Sequence, residues 1–461
     1  MNVKKGYGLL ALGICLCARV YAVRELILPS GYPEPGTYVK VYGSVRGFGF
    51  ADSRQIYGVR DNYAAILPRP IEWSGPVNNP SENQRRVDLN ACPQMGLSFL
   101  DSRLGVKFGT DVTPTWRGDG VIEGDFLGIS NETQEHPFAF KLRYATVMLE
   151  HGPNLLLLGQ FLHPMTLLDC YPHVVSSNRG APFDIQAFAP QFRYVYTHEQ
   201  FFRVLVTLCM QQGFASPGPL GPSPRYMQWV CAPAVDMQLH INSGRLLWGG
   251  GVDIKAIRPR IRTGGKNQDG DTVIVSQTDE MVVSPITMLF GSWTDEKASL
   301  RIKGFYAYNS PEQAILGGYG VCSEDKITGV REYVQLKAMG AWIDTDYKIN
   351  KNWLVGGFFA AAKYLGGSCD FLRYPVTEDS PYPFKIYDTG YPLQIPVSCT
   401  FRVAPRVVWR GGPVEISGEV EVTEAMYSFD GALGTYEQNT SVVPNQMVTN
   451  TRCTLFISYT F

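Results

Sequence analysis

Apolar and polar residues alternate along most of the chain after residue 37. In the first such segment Lys40 and Tyr42 lie on one face of an extended strand, while Val39 and Val41 lie on the other. A period of two is what a strand needs when one face meets lipid and the other meets water. The sixteen predicted strands are 38–50, 95–108, 120–128, 138–150, 154–161, 189–198, 200–211, 234–242, 245–257, 281–293, 297–309, 331–346, 352–364, 396–410, 413–426 and 448–461. The pattern therefore predicts an all-β fold, a transmembrane antiparallel barrel of about sixteen strands.

The connections between these strands alternate in length. Examples of tight turns are 151–153, 243–244, 294–296 and 411–412, and examples of long connections are 51–94, 162–188, 212–233 and 365–395. Outer-membrane barrels have short turns on the periplasmic side and long loops on the extracellular side. A soluble β-sandwich or propeller has no reason to show this asymmetry so regularly. The long connection 162–188 is the third of its kind along the chain.

The last segment of the chain, 451–461, also alternates. Leu455, Ile457, Tyr459 and Phe461 share one face, and the final residue is aromatic. A terminal strand of this kind is what the barrel-assembly machinery recognises in outer-membrane proteins. We therefore expect Tyr459 and Phe461 to act as an assembly signal, with that machinery as a partner during biogenesis.

The first 22 residues have the layout of a secretory signal peptide. Lys4 and Lys5 precede an apolar stretch at 8–17, and small residues end at Ala22. The apolar stretch is shorter than the roughly 20 residues of a membrane-spanning helix. We therefore expect a cleaved signal peptide over 1–22, a short segment over 23–37 and the barrel over 38–461, placed in the outer membrane of a Gram-negative-type bacterium.

The charge balance excludes one class of partner. Removing the three basic residues of the signal peptide leaves 38 of the 41 lysines and arginines against 42 acidic residues, a formal charge of −4. A chain with this balance is not expected to bind nucleic acid. The sequence also lacks a G-x-S-x-G nucleophile motif and a nucleotide motif, so we expect neither enzymatic activity nor a cofactor.

Eight cysteines remain after residue 22, an even number that permits disulfides in an exported chain. Cys209 and Cys231 flank one long connection and are the predicted pair, although connectivity does not follow from sequence. The cysteines and histidines show no zinc-ligand spacing, so no metal site is predicted.

Several segments resemble those of trimeric porins, especially the DcaP-like group. The resemblance lies in residues 51–60, 122–126, 157–164 and 177–183, followed by Pro190 to Tyr194, and it is strongest over residues 38–200. It implies a homotrimer of sixteen-stranded, water-filled barrels in outer-membrane lipid, through which small hydrophilic solutes diffuse. It also implies that the third long loop folds inward and narrows each pore. The loop that our count places third, 162–188, is therefore the expected constriction.

In such a barrel the polar positions of the alternation face the lumen, where their charge sets selectivity. The predicted pore-lining residues on strands are Arg46, Arg103, Lys107, Glu123, Asp125, Lys141, Arg143, Arg193 and Arg203. Those in the third loop are His163, Asp169, His173, Arg179 and Asp184. The early strands are richer in arginine and lysine, whereas Glu415, Glu419 and Glu421 lie together on a late strand. We expect an electrostatic field across the lumen that favours anionic solutes. The alternative is that these charges pair with one another and set no selectivity.

Two other functions remain open at this point. A surface adhesin or structural barrel would have the same strands with a closed lumen. An outer-membrane lipid hydrolase is the less favoured alternative, because only six histidines are spread along the chain. The identity of the solute does not follow from the sequence.

Overall fold

The computed structural model describes residues 36–74, 87–128, 139–199, 201–219, 221–266, 272–325, 327–369, 397–427 and 446–461. Its strands are β1 (Tyr38–Asp52), β2 (Ile56–Val59), β3 (Ala64–Pro68), β4 (Gln94–Ser98), β5 (Arg103–Asp111), β6 (Arg117–Gly128), β7 (Ala139–His151), β8 (Asn154–Leu162), β9 (Phe188–His198), β10 (Phe202–Cys209), β11 (Ala234–Ser243), β12 (Leu246–Ile257), β13 (Arg262–Lys266), β14 (Thr272–Gln277), β15 (Val282–Thr294), β16 (Ala298–Tyr308), β17 (Gly318–Glu324), β18 (Arg331–Lys348), β19 (Trp353–Gly366), β20 (Val397–Gly411), β21 (Val414–Tyr427) and β22 (Gln446–Thr460). The helical turns are Leu168–Cys170, Arg225–Gln228 and Pro311–Gln313.

None of the helices found in the described ranges is long and apolar enough to span a membrane. The predicted signal peptide, 1–22, lies outside the described residues, as does most of the segment 23–37.

The wall strands form one closed antiparallel sheet. β1 closes it by pairing with β22 on one side and with β4 and β5 on the other. β4 and β5 share one position, because they pair with successive parts of β1, and β16 and β17 likewise pair with successive parts of β18. The wall therefore has sixteen strand positions, and its first and last strands pair with each other, which confirms the predicted closed barrel.

Burial alternates along the wall as the sequence pattern predicts. In β18, Met339 and Ile343 face outward and are 47% and 42% exposed, whereas Trp342 and Asp344 face inward and are 1% and 0% exposed. The outward face is apolar because it lies on the lipid side of a membrane barrel. The inward face mixes charged and apolar side chains.

Three strand pairings were missed by the sequence pattern. β2 pairs with β3 and β13 with β14 as separate hairpins, and β17 extends the wall at β18. All lie within the long connections and are only four to seven residues long. A strand this short gives too few alternations for its period to be read.

Parts of the long connections fold into the barrel and build an apolar core there. The cluster includes Leu67 of β3, Phe183 from the third long connection and Leu316 from the connection between β16 and β17. These side chains pack on inward-facing residues of the wall such as Trp342 and Phe358. Apolar side chains therefore fill one side of the lumen. The open space lies on the other side.

The predicted disulfide is wrong. Cys209 and Cys231 are both free, while Cys322 of β17 is bonded to Cys369, which follows β19. Cys209 ends β10 and is buried against the turn Arg225–Gln228, whereas Cys231 lies exposed beyond that turn. The pairing depends on the path of long loops, which spacing along the chain does not reveal.

Cysteine labelling of the folded protein in detergent tests this arrangement. We expect a maleimide to modify the exposed Cys92, Cys231 and Cys453 and to leave the buried Cys170 and Cys209 unmodified. Cys322 and Cys369 should become reactive only after reduction, as read by peptide mass spectrometry. A peptide linking Cys209 to Cys231 would contradict the structure.

Candidate functional site: a passage beside the inward-folded third loop

The third long connection, residues 162–188 (the L3 segment), enters the barrel instead of leaving it. It follows β8, leads into β9, and lies inside the wall along most of its length. Met165, Phe183 and Ile185 are fully buried there, each 0% exposed. The inward fold expected for the third loop is therefore confirmed.

A buried ion pair fixes the L3 segment to the wall. Lys303 of β16 donates from Nζ to Asp184 Oδ1 and to the carbonyl oxygen of Met165, both at 2.7 Å. Trp342 of β18 donates from Nε1 to the same carboxylate oxygen at 3.1 Å. Asp184, Lys303 and Trp342 are each no more than 1% exposed. Such a pair persists only because these hydrogen bonds compensate the loss of water.

Carboxylates of β21 hold a second stretch of the L3 segment. The Glu419 carboxylate accepts the backbone N–H groups of Val175 and Ser176 at 2.8 and 2.9 Å. Glu421 accepts a hydrogen bond from Asn178 Nδ2 at 2.8 Å. Two of the three late-strand carboxylates expected to contribute to selectivity thus position the loop, whereas Glu415 pairs with Arg410.

A cavity of about 480 Å³ remains between the L3 segment and the wall. The wall side of this cavity is an arc that runs from β18 through β22 to β1, β5 and β7. The loop side consists of residues 168–179. We call this space the passage.

The passage has an excess of positive charge. Its lining includes the arginines Arg46, Arg103, Arg143, Arg179, Arg406 and Arg410. Its lining carboxylates are Asp101, Asp346 and Glu415. Six guanidinium groups against three carboxylates leave a formal excess of three positive charges on the lining.

Three of the arginines surround one carboxylate. Asp101, in the break between β4 and β5, lies 3.0 Å from Arg46, 3.1 Å from Arg103 and 3.6 Å from Arg179. Arg143 instead pairs with Glu123 and Asp125, each at 2.9 Å. The Asp101 cluster therefore supplies most of the uncompensated positive charge.

The other end of the arc carries a more balanced cluster. Asp344 and Asp346 of β18 pair with Arg301 of β16 and Arg406 of β20 at 2.5 to 2.7 Å. His173 of the L3 segment contacts Asp346 at 2.7 Å. His173, Asp344 and Asp346 form a possible metal-ligand group within the described ranges. Two guanidinium groups already neutralise both carboxylates, so this geometry does not favour a metal ion.

Only some of the predicted pore-lining residues line the passage. Arg46, Arg103, Arg143, His173 and Arg179 line the passage. Glu123 and Asp125 lie behind Arg143 as its buried partners. Lys107 stacks over Tyr42 at 5.0 Å and Lys141 over Phe214 at 5.1 Å, and neither lines the passage.

The remaining predicted residues lie where the L3 segment contacts the wall. Asp169 of the segment pairs with Arg203 at 3.0 Å, and Arg193 donates to the carbonyl oxygen of Leu162 at 3.1 Å. Burial lowers the pKa of His163 to about 3, an effect increased by the nearby Arg193, Lys255 and Lys303, so this ring is neutral. Contrary to the prediction, His163, Asp169, Asp184, Arg193 and Arg203 do not line the passage, because their side chains are used in contacts between the loop and the wall.

Some lining residues were missed. Arg410 continues the inward series of Arg402 and Arg406 along β20, so the period of two could have identified it. Tyr63 and Tyr171 enter from loop segments, where no period applies.

No family model and no curated protein match the sequence. Among solved structures, the outer membrane channel DcaP of Acinetobacter baumannii matches over 92% of this chain and 98% of its own, at 13% identity and a TM-score of 0.61. An anion-selective porin from Comamonas acidovorans matches over 92% and 100%, at 11% identity and a TM-score of 0.51. The trimer form of OmpT, an outer membrane protein of Vibrio cholerae, matches over 92% and 100%, at 11% identity and a TM-score of 0.50. The chain therefore has the sixteen-stranded porin fold, as the DcaP-like resemblance implied.

The Asp184 anchor can be tested by substitution. Asp184→Ala leaves Lys303 buried without its partner, which should destabilise the anchored L3 segment by about 3–5 kcal/mol. Backbone amides of the L3 segment should then exchange hydrogen faster, as measured by mass spectrometry. Asp279→Ala is the matched control, because Asp279 also pairs with a basic residue, Arg258, but its side chain is 80% exposed. Unchanged exchange in Asp184→Ala would disprove the anchoring role.

Proposed function

We propose that this protein is an outer-membrane porin, a water-filled channel for passive diffusion of small hydrophilic solutes that favours anions. The observation that carries the proposal is the passage inside a closed barrel, where three arginines surround the single carboxylate of Asp101. Solute preference in such a channel follows from pore width and from the charges on the lining. Export by a signal peptide and insertion in the outer membrane belong to the same proposal.

The geometry supports an anion preference through the Asp101 cluster. One carboxylate cannot neutralise three guanidinium groups, so Arg46, Arg103 and Arg179 leave donors for a passing anion. Arginine suits this task because it stays charged and binds carboxylates or phosphates through two parallel hydrogen bonds. The Comamonas relative in fold is itself described as anion-selective.

A closed-lumen structural barrel is the second candidate, and one observation favours it. The β2–β3 hairpin, the L3 segment and residues 309–317 fill much of the lumen with packed side chains. Conductance of the purified protein in a planar lipid bilayer separates the two candidates. Stable open-channel steps support the porin, and their absence supports the closed barrel.

We also propose that the protein is a homotrimer, assembled through the outward face of β1, β4 and β5. Apolar side chains there are highly exposed, with Met95 of β4 at 84%, Val39 of β1 opposite β5 at 74% and Leu97 of β4 at 71%. Outward-facing Gly49 adds no side chain beside Leu97, which keeps this part of the wall low and permits close approach. Insertion would begin with recognition of Tyr459 and Phe461 by the assembly machinery.

Selectivity provides the first test of the porin. Arg179→Gln removes one positive charge from the passage. In water, the interaction energy between such a charge and an ion about 4 Å away is about 1 kcal/mol. We expect the anion/cation permeability ratio, measured from reversal potentials in a salt gradient, to fall about fivefold. Arg245→Gln is the control, because Arg245 lies at a turn outside the passage and is 69% exposed. An unchanged ratio in Arg179→Gln would exclude a role for the cluster.

Trimer formation is tested by a bulky apolar substitution. Leu97→Trp should weaken the trimer because the larger side chain separates the two surfaces. The monomer should still insert, because an indole side chain is compatible with lipid. Val407→Trp on β20, where the valine is 41% exposed, is the control and should leave the oligomer intact. Native mass spectrometry in detergent gives the readout. A trimer that tolerates Leu97→Trp as well as Val407→Trp would place the interface elsewhere.

A further inference from the structure

Cations are rare on the outward face of the described barrel wall. Lysine or arginine takes an outward-facing strand position only at Arg331 and Lys337 of β18 and at Lys363 of β19. Arg331 lies at the extracellular end of β18 and pairs with Glu324 at 2.9 Å. Lys337 and Lys363 are therefore two cations on a surface that is otherwise apolar.

The two lysines are close neighbours. Lys363 lies directly opposite Met339, and Lys337 lies two residues before Met339 on the same strand. The register of β18 and β19 shifts between Lys337 and Ala338, and the Lys337 ammonium lies over the ring of Tyr308 on β16. Two cations on neighbouring strands of an apolar surface are unfavourable unless an anion compensates them.

Their height on the barrel corresponds to a lipid headgroup. Lys337 is eleven residues from the periplasmic end of β18, and Lys363 is ten from that of β19. With about 3.3 Å per residue and a tilt of roughly 40°, both lie about 25–28 Å above the periplasmic ends. The apolar band of such barrels is about 25 Å tall. Both side chains thus reach the outer boundary of the bilayer.

An apolar groove of about 890 Å³ begins just below the lysines. Gly250 and Gly304 keep the groove deep, and Leu289 and Met339 border it. Tyr306 also lines the groove and contacts Tyr308, over whose ring Lys337 lies at 5.8 Å. The surface thus joins two cations and two aromatic rings to a groove without charge.

We propose that this surface, composed of Lys337, Lys363, Tyr306 and the groove, binds a phosphorylated lipid of the outer leaflet. The phosphate lies between the two ammonium groups, and an acyl chain occupies the groove. Phosphate supplies the negative charge that the two lysines require, and the glycines provide space for a chain. The proposal rests on the membrane location put forward above, but not on channel activity.

Lipid enrichment measures this binding directly. The purified protein is reconstituted in phosphatidylcholine vesicles with a minor share of phosphatidic acid and re-extracted in mild detergent, and bound lipids are quantified by mass spectrometry. We expect phosphatidic acid to be enriched on the wild type. Each lysine near a charged membrane surface contributes about a fivefold effect, so Lys337→Gln/Lys363→Gln should lose most of the enrichment.

Two further variants separate the parts of the site. Gly304→Leu places an apolar side chain in the groove, where a Cβ at residue 304 would lie 3.6 Å from the nearest atom, and it should also reduce the enrichment. Lys351→Gln, in a periplasmic turn, is the matched control and should retain it. Equal enrichment in the wild type and the double lysine variant would overturn the proposal, as would no enrichment on the wild type. Failure of the porin proposal would appear separately, as absent conductance in every variant.

Discussion

The ion pair between Lys303 and Asp184 is the contact on which the shape of the lumen depends. Both groups are removed from water, and Trp342 provides the additional hydrogen bond that makes the burial tolerable. This pair joins the wall to the L3 segment at one point, and Glu419 joins it at another. Because the segment is held at both places, the passage on its other side has a defined wall.

The anchors also explain how the lumen divides. Wall charges in contact with the L3 segment, such as Lys303 and Glu421, are paired with polar groups of the loop and are withdrawn from the passage. Charges on the arc from β18 to β7 remain next to the passage, and among them Arg46 and Arg179 share a single carboxylate. The electrostatic field of the passage is therefore set by which wall residues the loop leaves uncovered.

This division limits what the sequence could predict. A period of two identifies the sixteen long strand positions of the wall, though not the short β17, because lipid and lumen impose opposite polarity on successive residues. It assigns Arg46 and Arg193 equally to the lumen, since both have the correct parity. Only the path of the L3 segment places Arg193 behind the loop and Arg46 in front of it. The disulfide at Cys322 escaped prediction for the same reason, because the path of a long loop has no local periodic signal.

Residues that break the alternation are therefore the informative ones. Trp342 and Phe358 are apolar yet face inward, and they mark the part of the wall where the L3 segment packs. Lys337 and Lys363 are charged yet face outward, at the height where a lipid phosphate can compensate them. An apolar side chain facing a water-filled lumen costs stability, and so does a charged side chain facing hydrocarbon. Each is stabilised only by a specific neighbour, which is the inward-folded loop in one case and a bound anionic lipid in the other.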